Sequence, residues 1–253
     1  LLYPVIFNSS TLDNILKNRY LFGMSQNDDH YGCRLYLVSP PKLELAAFVP
    51  QLEQAFAGGD VGAFQLRLKD CDDATILRVG EALMPLCRKA GAAFIINDRV
   101  DIAQTLGADG VHLGQEDGSV SDARARLGAD SVIGVTCHAS GHMAMEAGDA
   151  GADYVAFGAF FETRSKSKEK QERYGRPDLD LLRWWSTYTI LPCVAIGGIT
   201  PENCTPLVAA GADFVAAITA VWEHPEGAGA AVASFNQAIK TGLALRNADK
   251  EAV

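Results

Sequence analysis

Short apolar runs alternate along this chain with longer segments that carry an apolar stripe at helical spacing. Eight runs have the look of buried strands, rich in β-branched and aromatic residues. They are "CRLYLVS" from Cys33, "FQLRLK" from Phe64, "AFIIND" from Ala93, "GVHLGQ" from Gly110, "VIGVTC" from Val132, "YVAFGAFF" from Tyr154, "CVAIGG" from Cys193 and "FVAAITAV" from Phe214. Between them lie amphipathic stretches such as "DATILRVGEALMPLCRKA", "ENCTPLVAAG" and a last one near "AGAAVASFNQAIKTG".

A phrase repeats ahead of several strands: "GADGV" at Gly107, "GADSV" at Gly128, "GADYV" at Gly151 and "GADFV" at Gly211. "GGDVGAFQ" at Gly58 and "GAAFI" at Gly91 are looser versions. Each glycine can close a helix in the left-handed conformation, after which a short loop leads into a strand. Regular β-then-α units of this kind predict an α/β protein, and eight of them predict a (β/α)8 TIM barrel. A doubly wound open sheet is the rival, but no G-x-G-x-x-G turn supports it. The predicted organisation is an N-terminal extension over residues 1–30, a barrel domain over 31–246 and a tail over 247–253.

At 253 residues the chain fits one such domain. Its net charge of −9 argues against nucleic acid or an anionic membrane as a partner, and no apolar run is long enough to span a bilayer. The six cysteines form no C-x-x-C pair and read as reduced, mostly buried thiols of a cytoplasmic protein. His138 and His142 have i, i+4 spacing, but "HASGH" lacks the glutamate of a metal helix. They are expected to be a strand-end and a helix-surface histidine. The first residues, "LLYPVIFNSSTLDNILKNRYLFG", have no charged leader region and make a poor signal peptide. No catalytic role is expected of them.

In a barrel the chemistry sits at the C-terminal strand ends. Gln65, Arg67 and Lys69 follow one another at period two and so face one way. Cations inside a strand are expensive unless an acid or an anion pairs with them, so this face is an ion pair or an oxyanion cradle. Asn97 and Asp98 end the third strand; Gln115, Glu116 and Asp117 end the fourth. Asp98 and Asp117 are either helix caps or two oxygen ligands for Mg2+. Thr136, Cys137 and His138 end the fifth. Gly197 and Gly198 end the seventh, either as a tight turn or as backbone that can approach phosphate. Ile218 and Thr219 end the eighth. These features predict two anion sites, one cationic and Mg2+-assisted, one built from backbone.

Between the two sites runs "GAFFETRSKSKEKQERYGRP", Gly158 to Pro177, with six Lys or Arg in an acidic protein. Its Thr163, Ser165 and Lys166 are placed to reach both anions. The rest is expected to be a lid. Such a pair of sites suits two small-molecule substrates, one a diphosphate and one a monophosphate.

"FQLRLKD", "IINDRVDIA", "GVHLGQED", "GVTCH", "GAFFETRSK", "AIGGIT" and "AGADFVAAITAV" resemble, in order, the motifs of the thiamine phosphate synthase family, from about Cys33 onward. The resemblance implies an enzyme that joins 4-amino-5-hydroxymethyl-2-methylpyrimidine diphosphate to hydroxyethyl-thiazole phosphate, in thiamine biosynthesis. It implies that Gln65, Arg67, Lys69 and Asn97 bind the pyrimidine diphosphate, that Asp98 and Asp117 hold Mg2+, and that Thr136 stands for a serine at the pyrimidine. Thr163 and Ser165 would hold the thiazole phosphate together with Gly198, Ile218 and Thr219, and Lys166 would sit beside the diphosphate. Arg67, Lys69, Lys166 and Thr136 would carry the catalysis, in which the pyrimidine methylene ionises and the thiazole nitrogen captures it. Thr136-Cys137, Glu162, Ser165 and Thr219 depart from the family's usual residues. A thiazole tautomerase of the same fold, using His138, and a non-catalytic thiamine phosphate sensor are the alternatives.

Overall fold

The computed structural model describes residues 32–163 and 173–251. Eight parallel strands close into a barrel in chain order, and β8 pairs back onto β1. The strands are β1 Arg34–Val38, β2 Ala63–Leu66, β3 Ala93–Asn97, β4 Gly110–Leu113, β5 Val132–His138, β6 Tyr154–Gly158, β7 Cys193–Ile196 and β8 Phe214–Ala217. The helices, numbered among the described residues, are α1 Leu45–Ala57, α2 Asp73–Ala90, α3 Val100–Leu106, α4 Val120–Leu127, α5 Gly141–Asp149, α6 Leu179–Tyr188, α7 Pro201–Ala209, α8 Thr219–Trp222 and α9 Ala228–Glu251. The closed ring excludes the open-sheet rival.

Local chemistry places these elements. In α2, Asp72 caps the first turn by accepting from Thr75 N at 2.8 Å. Gly91, at φ 70°, ends the helix while its N–H returns to Arg88 O and Cys87 O. Strand alternation then separates two apolar layers. Tyr36, Ile95, Tyr154 and Phe214 point into the barrel. Leu35, Phe64 and Phe94 point outward against the helices, where Trp185 of α6 joins their layer.

The repeated phrase does more than end helices. Asp109, just before β4, accepts from Phe94 N of β3 at 2.7 Å. Asp153, before β6, accepts from Ile133 N of β5 at 2.7 Å. Asp213, before β8, accepts from Cys193 N of β7 at 2.9 Å. Asp60, before β2, holds Arg34 of β1 through two bonds of 2.7 and 2.6 Å. One aspartate therefore ties each pair of strands at the N-terminal rim. The fourth copy of the phrase breaks the pattern: Asp130, before an odd-numbered strand, is exposed.

Several strands stop earlier than the apolar runs suggest. β2 ends at Leu66, β6 at Gly158 and β8 at Ala217, because the chain leaves the ladder to build the mouth. α9 runs on to Glu251, past the point where a tail was expected from residue 247. Residues 1–30 lie outside the described residues. Five of the six cysteines are buried, Cys71 is exposed, and all are free.

Asp153 is 1% exposed and also pairs with Arg124 at 2.6 Å. Asp153→Ala strands both a buried N–H and a cation, and is expected to lower unfolding free energy by about 3 kcal/mol. Asp130→Ala should change it by less than about 0.5 kcal/mol. Urea unfolding of the two variants measures both.

Candidate active site

The C-terminal ends of the strands open into a cavity of about 760 Å3. Gln65, Arg67 and Lys69 line one wall, as their period-two spacing predicts. Arg67 and Lys69 lie beyond β2, and the loop after β1 keeps that segment extended. Arg67 N donates to Ser39 Oγ at 2.8 Å, and Lys69 N donates to Pro41 O at 2.8 Å. Burial pulls the Arg67 guanidinium down from its ordinary pKa, while Asp98 and Asp117 act to raise it.

Asp98 and Asp117 face this wall. Neither caps a helix: the position before α3 is Arg99, and Ser119 caps α4. Asp98 sits at φ 62°, its N–H held by His112 O at 2.8 Å. The two carboxylates converge over Gly114. A Cβ there would lie 2.2 Å from Asp117 Oδ2 and 4.0 Å from Asp98 Oδ1, so the glycine leaves room for both. Burial, and then the charge of Asp117, push the Asp98 carboxyl above the usual carboxylate range, against hydrogen bonds from Asn97 and Gly114 and the charge of Arg67. Two hard oxygen donors that repel each other are a suitable donor set for a divalent cation. No group of three or more His, Cys, Asp or Glu side chains converges for metal binding among the described residues.

The floor of the cavity is a polar chain inside the barrel. Gln65 Nε2 donates to Tyr36 Oη at 3.0 Å, and Tyr36 Oη meets Tyr154 Oη at 2.9 Å. Tyr154 Oη meets His112 Nδ1 at 2.8 Å, and His112 Nε2 meets Thr136 Oγ1 at 2.8 Å. Thr136 and His138 both line the cavity. Cys137, between them, points into the outer layer, where burial pushes its thiol up to about 12. The register of β5 on β6 slips between Thr136 and His138, which puts a bulge beside the site. His138 stacks face to face on Tyr174, with ring centroids 3.8 Å apart at 6°. His142 is a helix-surface residue 3.4 Å from Glu146.

On the far side, Gly197 and Gly198 have φ of 104° and 65°. A Cβ on Gly197 would meet Ala159 at 2.3 Å, and one on Gly198 would meet Glu162 O at 2.3 Å. The glycines therefore admit the chain's own loop, which docks through Phe160 N to Ile196 O at 3.1 Å and Phe161 N to Gly197 O at 3.0 Å. Thr163, Gly198, Ile218 and Thr219 line this side of the same cavity. Ser165 and Lys166 lie outside the described residues, as does most of the expected lid.

Asn97 also lines the cavity. Sequence reasoning missed Tyr36, His112, Tyr154 and Tyr174. It searched the strand ends, and the first three lie within strands. Their signal was the same period-two rule: each is a polar-tipped ring at an inward position of an apolar run.

A closed parallel barrel with ionisable groups gathered at the C-terminal mouth defines a (β/α)8-barrel enzyme. The chain is narrower in kind than that. Residues 35–221 match the family model described as thiamine monophosphate synthase, and the chain belongs to that family. It is 52% identical over 208 residues to the thiamine-phosphate synthase of Rhodospirillum centenum, covering 82% of this chain and 98% of that protein. It is 52% identical over 209 residues to that of Erythrobacter litoralis, covering 81% and 95%. The solved thiamine phosphate pyrophosphorylase of Pyrococcus furiosus is 31% identical, with a TM-score of 0.71, over 83% of this chain and 96% of that one.

The raised pKa of Asp98 has a stability consequence. Above its folded pKa the charged carboxyl destabilises the metal-free protein; protonation removes that cost as pH falls. Asp98→Asn is expected to raise Tm at pH 8 by about 1–3 °C, after allowing for solvent screening. The gain should shrink as the pH is lowered toward 4. Thermal melts across pH check the sign.

Proposed function

We propose that the protein condenses 4-amino-5-hydroxymethyl-2-methylpyrimidine diphosphate with hydroxyethyl-thiazole phosphate to give thiamine phosphate and diphosphate, with Mg2+ as cofactor. The observation that carries this reading is the cavity wall where Arg67 and Lys69 face Asp98 and Asp117. The family membership and the full-length match to named synthases support it.

Asp98 and Asp117 would hold the cation, which when bound supplies charge neutralisation to the leaving diphosphate. The protein's own cations do the same from the β2 side. Arg67 is fixed by its backbone bond to Ser39 and can grip phosphate through two N–H groups. Lys69, exposed at the rim, adds a point charge where the diphosphate enters. Lys166 is assigned beside the diphosphate, and Asn97 joins Gln65 and Thr136 on the pyrimidine. Thr163, Ser165, Gly198, Ile218 and Thr219 are assigned to the thiazole phosphate. A side-chain nucleophile is not needed when leaving-group charge is neutralised in place. Cys137, turned outward as a thiol, is not one. The free cysteines fit a cytoplasmic setting.

His138 at the cavity wall is the residue a tautomerase would use, and it makes that activity the second reading. Incubation of both substrates with Mg2+ should yield thiamine phosphate and diphosphate. EDTA should stop turnover and excess Mg2+ restore it. Product from a thiazole carboxylate phosphate alone, without metal, would assign the tautomerase; thiamine phosphate binding with no turnover would assign the sensor.

Asp98→Ala should lower kcat by about 10²-fold or more while Tm moves by a few degrees. Mg2+ should raise the Tm of the wild type and leave Asp98→Ala nearly unchanged. Equal loss of folding and turnover would make Asp98 a structural group.

A further inference from the structure

The polar chain beneath the cavity takes a direction from its Gln65 end. Gln65 is 5% exposed, and its Nε2 gives a hydrogen bond to Tyr36 Oη at 3.0 Å. Tyr36, 2% exposed, then has its own hydrogen to place, and Tyr154 Oη is 2.9 Å away. With Tyr36 donating, Tyr154 gives its hydrogen to His112 Nδ1 at 2.8 Å. His112 Nδ1 is then an acceptor, so the ring hydrogen sits on Nε2 and goes to Thr136 Oγ1 at 2.8 Å. In this arrangement both tyrosine hydroxyls accept one bond of the chain and donate the next. Burial raises both tyrosine pKa values, that of Tyr36 to about 12, which keeps both groups as O–H at neutral pH.

The two ends of the chain are what the cavity meets. The Gln65 amide spends a hydrogen inward and leaves its carbonyl oxygen as an acceptor. The Thr136 hydroxyl accepts from below and keeps its own hydrogen to donate. Both residues line the cavity.

We propose that Tyr36, Tyr154 and His112 are positioning residues that make the β2 side of the cavity an acceptor and the β5 side a donor. The site thereby selects a heteroaromatic ring with an amino group toward Gln65 and a bare ring nitrogen toward Thr136. This rests on the synthase reading, whose aminopyrimidine carries both groups. A ring whose amino group is replaced by a carbonyl presents the opposite polarity and leaves the Gln65 carbonyl and the Thr136 hydroxyl unpaired, which is the strong form of discrimination.

Two measurements test this, and the first does not need the synthase reading. Nitrogen-15 NMR of His112 in the free protein should show the hydrogen on Nε2. A hydrogen on Nδ1 would mean the chain runs the other way, with Gln65 as donor and Thr136 as acceptor, and would overturn the proposal. The second compares the aminopyrimidine diphosphate with an analogue whose ring nitrogen is C–H. The wild type should lose roughly tenfold or more in kcat/KM on the analogue. In Tyr154→Phe and Tyr36→Phe the preference should collapse toward unity, with the KM for the thiazole phosphate unchanged. An undiminished preference in both variants would overturn the positioning role. If the wild type turns over neither compound while His112 carries its hydrogen on Nε2, the synthase reading fails and the directional chain stands.

Discussion

Four aspartates at the N-terminal rim hold the barrel in register. Near the start of a parallel strand an N–H that faces the next strand has no carbonyl opposite it, and the buried bottom of a barrel offers little water to satisfy it. Asp109, Asp153 and Asp213 each supply that partner from the loop before the neighbouring strand. Asp60 does the equivalent through the side chain of Arg34. Because the side-chain period of a strand is two, a one-residue slip would turn Tyr36 and Tyr154 out of the interior and bring their outward neighbours in. The rim bonds therefore guard the arrangement at the other end of the strands.

The two ends of the barrel spend charge differently. At the rim, a carboxylate is paired, as Asp153 is with Arg124, and contributes to stability. At the mouth, Asp98 and Asp117 crowd each other over Gly114, and Arg67 gives up part of its hydration to face them. The floor between them is a connected hydrogen-bond chain, from Gln65 to Thr136.

Much of this was legible in the amino-acid order. Strand and helix order followed from apolar periodicity and the glycine repeat, and α2 occupies the stretch that its apolar stripe marks, Asp73 to Ala90. The period-two rule brought Gln65, Arg67 and Lys69 to one wall. What stayed hidden was long-range. The aspartate of the repeat looked like part of a turn, because its partner lies on the preceding strand about twenty residues back. The glycine pair at the end of β7 did not reveal the loop that leans on it, because that loop comes from β6. Tyr36, His112 and Tyr154 looked like filling in apolar strands; their hydroxyls and ring nitrogens meet only when strands far apart in sequence face one interior.

That glycine pair also accounts for Glu162. The loop after β6 rests on Gly198 through the carbonyl of Glu162, while the side chain is exposed. Position 162 thus serves the dock through its main chain, while its side chain is at the cavity wall. Gly197 and Gly198 admit no side chain, since one there would lift the loop that carries Thr163. Within one short turn, a position with room for a side chain lies directly against two that have none.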